Sequence, residues 1–480
     1  MATLEYETRD HYIGGTWVEP DDGEYYDVID PATEEVIASA ATGTAADIDR
    51  AVEAASEAFD EWGSIDPAER GRALTRVAQL IRERADELAQ LESLNQGKPL
   101  RQAHNDVEGT ARYFEYYAGA ADKLEGSSIP VTRDRVNYTT REPYGVSGQI
   151  VPWNFPLNLT ARGVAPALAA GNTTVVKPAP TTPLSALALT EIFEEAGVPD
   201  GAYNVVTGGA EPGAALTEHH DVDVLTFTGS VPTGQAVMEA AATTITPVTL
   251  ELGGKNSAIV TPEADLSSAI FWTRVGIFIN AGQVCSAADR AIVHESVYDE
   301  FIEGIVDMAE SLEVGPGLDD PDIGPLNHEE HLEKVTRYID VGKREGATLE
   351  TGGEAIDRPG YFVEPTVFSD VGPDMRLARE EIFGPVLAVT PYSEPAEAIE
   401  LANDVEFGLT GGVFSNDIGE ALRMARDLEA GTIYVNEWFG GTVETPFGGF
   451  KKSGIGREKG LEALDSYLQT KSVLVNVRDR

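Results

Sequence analysis

The chain predicts an α/β protein with an open parallel sheet, a second α/β region after it, and a small β extension. Three observations point there. From Tyr144 to Gly253, short β-branched runs alternate with Ala/Leu-rich helical stretches at about 25-residue intervals, the rhythm of a sheet with helices on both faces. A chain of 480 residues exceeds what one hydrophobic core usually covers, so two or more domains are expected. Turn and polar residues also gather where the predicted strands end, the side on which such sheets bind ligands.

In chain order, a short strand-like lead (Tyr25 to Ile29) precedes a mainly helical first hundred residues. Ile48, Val52, Ala55 and Phe59 recur at helical spacing. Asp66-Pro67-Ala68-Glu69 supplies an N-cap, a proline at the first helical position and a capping-box acid. One apolar stripe then runs through Leu74, Val77, Ile81, Leu88 and Leu91 until Gly97-Lys98-Pro99 stops the helix. The predicted strands follow at Gly145 to Val151, Thr173 to Val176, Tyr203 to Val206, Val224 to Thr228 and Val248 to Leu252. Trp153-Asn154-Phe155 follows the first of these, Lys177-Pro178 the second and Gly229-Ser230 the fourth. A second α/β region spans about Asn256 to Gly449. Two extended polar segments, Arg133 to Arg141 and Lys471 to Val477, could pair with each other or add strands to another subunit.

Acidic residues number 81 against 35 basic ones, a net charge of −46 spread over the whole chain. In dilute buffer this self-repulsion opposes compaction and association, whereas at molar salt the Debye length falls to about 3 Å. The pattern reads as the hydrated coat of a protein from a salt-rich (halophilic) cytoplasm. Its sign argues against nucleic acid or an anionic membrane as partner. Thermal melts in dilute buffer and in molar salt should show a steep rise in stability, and a flat salt profile would reject this reading. Met1 to Glu7 shows no basic segment leading into an apolar stretch, so no secretory signal is visible. The single cysteine excludes an intrachain disulfide, consistent with a cytoplasmic location.

That cysteine, Cys285, lies in Gly282-Gln283-Val284-Cys285-Ser286, 34 positions after Glu251 in Glu251-Leu252-Gly253-Gly254-Lys255. A free cysteine is most often a small buried filler. A thiol and a carboxylate, each beside glycines that admit a ligand to the backbone, suggest instead covalent thiol catalysis with a separate general base. Phe227-Thr228-Gly229-Ser230-Val231-Pro232 ends a strand and opens a helix whose first N–H groups suit an anion such as pyrophosphate. Lys177 is a cation at a strand end, and Asn154 either caps the following helix or aims an amide at an oxyanion. Glu381 and Phe383 pair a carboxylate with an aromatic ring beside a tight turn. His328 and His331 (His-Glu-Glu-His) sit in an acidic helical setting that reads as a solvated face, so no metal is expected.

Taken together these residues resemble the aldehyde dehydrogenase superfamily over almost the whole chain. Pro152-Trp153-Asn154-Phe155-Pro156, Lys177-Pro178, Phe227 to Ser230, Glu251 to Lys255, Gly282 to Cys285, Glu381 to Pro385 and Pro446-Phe447-Gly448-Gly449 stand in the family's order. The resemblance implies a Rossmann-like cofactor domain (1-124 and 144-252, with 453-467 returning to it), a catalytic domain (253-452) and oligomerisation strands (125-143 and 468-480). It implies that Cys285 attacks an aldehyde, that Asn154 and the Cys285 N–H hold the oxyanion, and that Glu251 activates the water that releases the acid. Lys177, Ser230, Trp153, Gly229, Gly253, Glu381 and Phe383 would serve NAD or NADP, and Glu458 matches an acid sometimes assigned to proton relay. Phe155, Val284, Trp438, Phe439 and Phe447 are the implied apolar lining for the substrate. A homodimer or homotetramer is implied as well.

Two departures stand out. Pro180 replaces the acid that in many relatives grips the adenosine ribose and repels a 2′-phosphate, so use of NADP is open. Arg162-Gly163 replaces a bulky residue followed by lysine. Benzaldehyde- and vanillin-type relatives show this arginine and a small residue, and Arg162 could bind a substrate carboxylate as in semialdehyde oxidisers. Ile279 stands where succinate-semialdehyde enzymes have a second arginine, which favours an apolar or aromatic aldehyde. A non-catalytic nucleotide-binding protein, or a thiol esterase that never uses the nicotinamide, are the competing readings.

Overall fold

Five parallel strands form the centre of the first sheet, as expected. The computed structural model describes residues 7–478, so the N-terminal reading of Met1 to Glu7 falls mostly outside the described residues, as do the last two residues of the 468-480 segment. The sheet runs Val248–Glu251, Val224–Thr228, Val146–Val151, Thr173–Pro178, Tyr203–Val205, all parallel, and is extended by Gly454–Ile455 on one edge and by His11–Ile13 and Thr16–Val18 on the other. The chain starts at Val146–Val151, winds outward through Thr173–Pro178, then returns to the other side at Val224–Thr228. This reversal opens a crevice between the carboxyl ends of Val146–Val151 and Val224–Thr228, where such sheets hold ligands.

The helix Ala45–Ser64 starts at a capping box in which Asp47 accepts from the Thr44 N–H at 2.8 Å. Its stripe of Ile48, Val52 and Ala55 is buried against Val146 and Val175 of the sheet, whereas Phe59 stays half-buried. Asp66 caps the next helix by accepting from Ala68 N–H at 2.9 Å. Glu69, expected to close a capping box, instead turns to Arg72 at 3.5 Å. The single apolar stripe to Leu91 also proves to be two helices, Pro67–Glu83 and Ala85–Gln96, broken at Arg84, where φ is −105° and ψ 23°. Leu74, Val77, Ile81 and Leu88 from both halves are buried in one core, with Leu91 half-buried against a neighbouring cluster, which is why the break leaves no trace in the pattern. Gly97 ends the second helix at φ 101°, and Leu100–Ala118 follows after Pro99.

The second sheet orders Thr348–Thr351, Thr366–Ser369, Val386–Tyr392, Arg290–His294, Ser257–Val260, Thr410–Phe414 and Thr432–Val435, parallel except for its first strand. The two polar segments pair with each other. Arg135–Pro143 runs antiparallel to Leu468–Asn476, with Ser128–Ile129 on its outer edge. No helix among the described residues is long and apolar enough to cross a membrane.

Candidate active site

At the crevice the chain assembles a cavity of about 230 Å³ lined by Trp153, Asn154, Gly229, Ser230, Glu251 and Cys285, with Glu381, Phe383 and Lys334 on the facing wall. All of the expected catalytic residues, and the expected cofactor residues apart from Lys177 and Pro180, meet here.

Cys285 stands at the end of a strained turn. Asn280, Ala281 and Gly282 take φ values of 49°, 54° and 72°, three left-handed residues in succession. The two that are not glycine cost of order 1–2 kcal/mol each, so the surroundings must enforce them. They do so through hydrogen bonds. Asn280 N–H donates to Gln102 Oε1 and Asn280 Nδ2 to the Asn154 carbonyl, both at 2.9 Å. Gln283 Nε2 donates back to the Asn280 carbonyl at 3.0 Å. Gly282 is required, because a Cβ there would lie 2.1 Å from the Gly384 carbonyl oxygen. After the thiol, Asn256 Nδ2 donates to the carbonyls of Cys285 at 2.9 Å and Ala287 at 2.8 Å.

Asn154 spends one amide hydrogen on the Gln283 carbonyl at 2.9 Å, which ties the first strand's loop to the nucleophile's loop. The second hydrogen remains for the cavity its side chain lines. Glu251 ends its strand, buried, and neither carboxylate oxygen has a hydrogen-bond partner. Burial, then the charge of Glu458, holds this carboxyl well above the ordinary range. Burial likewise pushes the Cys285 thiol up to about 12, against the pull of Arg162. Alkylation of Cys285 by iodoacetamide, without cofactor, should therefore climb about tenfold per pH unit from pH 7 to 10. Levelling near pH 8.5 would show an ordinary thiol.

On the cofactor side, Ser230 caps the helix Val231–Thr244, whose N-terminus faces the crevice after the strand Val224–Thr228. Glu381 accepts from Gly254 N–H at 3.0 Å, and a Cβ on Gly253 would sit 2.4 Å from its carboxylate, so glycine is needed for the approach. Burial pushes Glu381 up to about 7. Trp153 meets Phe383 edge to face at 5.4 Å, with Phe383 held at φ 66°. Lys177 lies one strand away, buried, its ammonium donating to the Gly208 and Gly209 carbonyls at 3.2 Å and pushed down to about 8 by burial. Pro180 is exposed in the loop beyond it.

Several expectations need correction. His328 and His331 are not a solvated face: both line the cavity, and His331 is buried, with Nε2 donating to the Phe383 carbonyl at 2.7 Å. Burial pushes His331 down to about 3, so it is neutral there. Arg162 is not free for a substrate carboxylate. It contacts Glu458 through Nε, lies 3.7 Å from Glu251 through Nη2, and stacks 4.5 Å from the Phe447 ring centroid. Trp438, expected to line the pocket, is buried and donates Nε1 to the Ser286 carbonyl at 3.0 Å, propping the nucleophile loop from behind. Phe155 packs on Lys98 Nζ at 4.1 Å; Val284 is buried, and Phe439 half-buried beside Trp438. None of the six expected substrate residues lines the cofactor-side cavity. Sequence reasoning missed Asn256, Asn280 and Lys334; Asn280-Ala281-Gly282 carried a signal, since asparagine and glycine favour positive φ.

The family model for the aldehyde dehydrogenase family matches residues 17–473. The chain belongs to that family. As an aldehyde dehydrogenase it is an NAD(P)-dependent oxidoreductase. It is 44% identical over 470 residues to hydroxyisobutyraldehyde dehydrogenase of Mycolicibacterium austroafricanum, covering 97% of this chain and 93% of that one. Aldehyde dehydrogenase 1 of Tanacetum cinerariifolium is 45% identical over 468 residues, at 96% and 94% coverage. Among solved structures, the NAD+ complex of the Bacillus cereus aldehyde dehydrogenase superposes with a TM-score of 0.98 at 44% identity, covering 99% of this chain and 98% of that chain. The Staphylococcus aureus betaine aldehyde dehydrogenase in complex with NAD+ gives 0.97 at 40% identity, covering 100% and 97%. The dehydrogenase's own residues fit a dinucleotide: a capped helix N-terminus, a carboxylate over glycine and the unpartnered Lys334 all border one crevice.

Proposed function

We propose that this enzyme oxidises an aldehyde to its acid through a thioester on Cys285, and that Glu251 activates the water that releases it. The convergence of Cys285, Asn154 and Glu251 on one cavity that also carries Ser230 and Glu381 supports this reading. The Cys285 thiol loses its proton to solvent water, Sγ bonds to the aldehyde carbon, and the carbonyl π pair moves onto oxygen as the carbon becomes tetrahedral. The second Asn154 amide hydrogen and the Cys285 N–H bind the oxygen that gains charge, a contribution of the oxyanion-hole kind. The oxidised nicotinamide, when bound, accepts the hydride. Glu251 then takes a proton from water as that water attacks the thioester and the carbon–sulfur bond breaks to free Sγ, a role for which oxygens without hydrogen-bond partners and a raised pKa suit it.

Ser230 and Trp153 would border the diphosphate, Glu381 and Phe383 the nicotinamide end, and Lys177 the adenosine ribose. With Pro180 in place of an acid, both NAD and NADP should be accepted. The first sheet with its helices (1-124 and 144-252) would be the cofactor domain and 253-452 the catalytic one. The paired strands Arg135–Pro143 and Leu468–Asn476 would carry subunit contacts in a homodimer or homotetramer. A salt-rich cytoplasm suits the charge of −46. Rapid mixing with excess aldehyde tests the reading. A burst of reduced cofactor equal to the enzyme concentration is expected, and cofactor reduction without aldehyde dependence would reject it.

A further inference from the structure

Cations are scarce in this chain, and nearly every lysine is engaged. Lys98, Lys123, Lys255, Lys451, Lys452 and Lys471 lie within ion-pair distance of carboxylates. Lys177 and Lys343 donate to backbone carbonyls. Among the described residues, only the side chains of Lys334 and Lys459 have neither a hydrogen bond nor an ion pair. Lys334 lines the cofactor-side cavity. Lys459 sits elsewhere, with Nζ 5.2 Å from the centroid of Phe447.

Its surroundings hold it there. Phe447 and Glu458 exchange backbone hydrogen bonds of 2.6 and 2.7 Å, which fix the residue before Lys459 against the ring's own backbone. Lys459 itself is at φ 59° and Gly460 at φ 61°, a left-handed turn that a lysine adopts only under constraint. The Phe447 ring also carries Arg162, but the arginine's charge is met by Glu458 and Glu251. Lys459 is half-buried as a residue, and among the described residues its ammonium has no carboxylate within ion-pair distance. The ring it shares with Arg162 sets it beside the group that lies 3.7 Å from Glu251; burial, then the charge of Arg162, pushes its ammonium down to about 8, against the opposing pull of Cys285, Glu458 and Glu251.

We infer that Lys459 is the receptor for a carboxylate on the substrate, so that the preferred aldehydes carry an anionic group at the end remote from the carbonyl. The inference rests on the aldehyde-oxidising reading above and assigns its substrate class. A carboxylate would complete the one cation near Cys285 that lacks a partner outside the cofactor crevice. Arg162, the residue the sequence offers for this task, is occupied, and the neighbouring lysine takes it over.

The test compares kcat/KM for two matched pairs, 4-carboxybenzaldehyde with benzaldehyde and succinic semialdehyde with butanal, on the full-length enzyme at high salt. The wild-type enzyme should favour the carboxylated member of at least one pair. Lys459→Met should lower that ratio about 10- to 100-fold, and Lys459→Arg should largely retain it. A ratio unchanged in Lys459→Met, or a wild-type preference for the neutral member of both pairs, overturns the assignment while leaving aldehyde oxidation standing. A wild-type enzyme that oxidises none of the four overturns the aldehyde reading and this inference with it.

Discussion

Replacing Cys285 by alanine should abolish the burst of reduced cofactor and lower turnover by at least about 10⁴-fold, because no other nucleophile can make the aldehyde carbon tetrahedral. Hydride does not leave a planar aldehyde, so the loss falls on the first chemical step and not on binding. Cys285 is the only cysteine in the chain, which removes any neighbouring thiol as a substitute. The loop should survive the change. It is fixed by Asn280, Gln283 and Asn256, none of which bonds to the sulfur. Cofactor binding measured by fluorescence titration should therefore stay near the wild-type value. A variant that kept a full burst would move the chemistry away from this residue.

The Glu251→Gln exchange should separate the two halves of the reaction. The first turnover should persist, while steady-state turnover falls about 10²- to 10⁴-fold, the range ordinarily supplied by a general base. Glutamine matches the shape but cannot take a proton. In the wild-type enzyme the raised pKa of Glu251 carries a sign. The carboxyl is protonated at pH values where an ordinary glutamate is still ionised, so steady-state turnover should begin to fall with decreasing pH well before an ordinary glutamate would be protonated. Glu251→Gln should lose this limb of the profile. If the limb remained, another group would be the base.

Much of the fold was legible because the core strands are buried on both faces and read as unbroken β-branched runs. Val146–Val151 and Val224–Thr228 fall within a residue of their predicted bounds. The break at Arg84 was not legible, since an apolar stripe shared by two helices in one core looks continuous. The site residues could be read as motifs because each sits at a strand end or a glycine turn. Their partners could not. Whether Arg162 meets a substrate or Glu458 depends on a residue 296 positions later in the chain. His331 illustrates the same limit. An acidic helix looks solvated until the Phe383 loop closes over one face and takes its Nε2 hydrogen.

The most direct measurement is the mass of Glu251→Gln quenched in acid shortly after mixing with aldehyde and oxidised cofactor. The intact chain should gain one acyl group, and digestion should place it on the peptide containing Cys285, with no gain when the cofactor is omitted. An acyl group found on another residue, or a burst of reduced cofactor with no acylated enzyme, would contradict oxidation through a thioester at this sulfur.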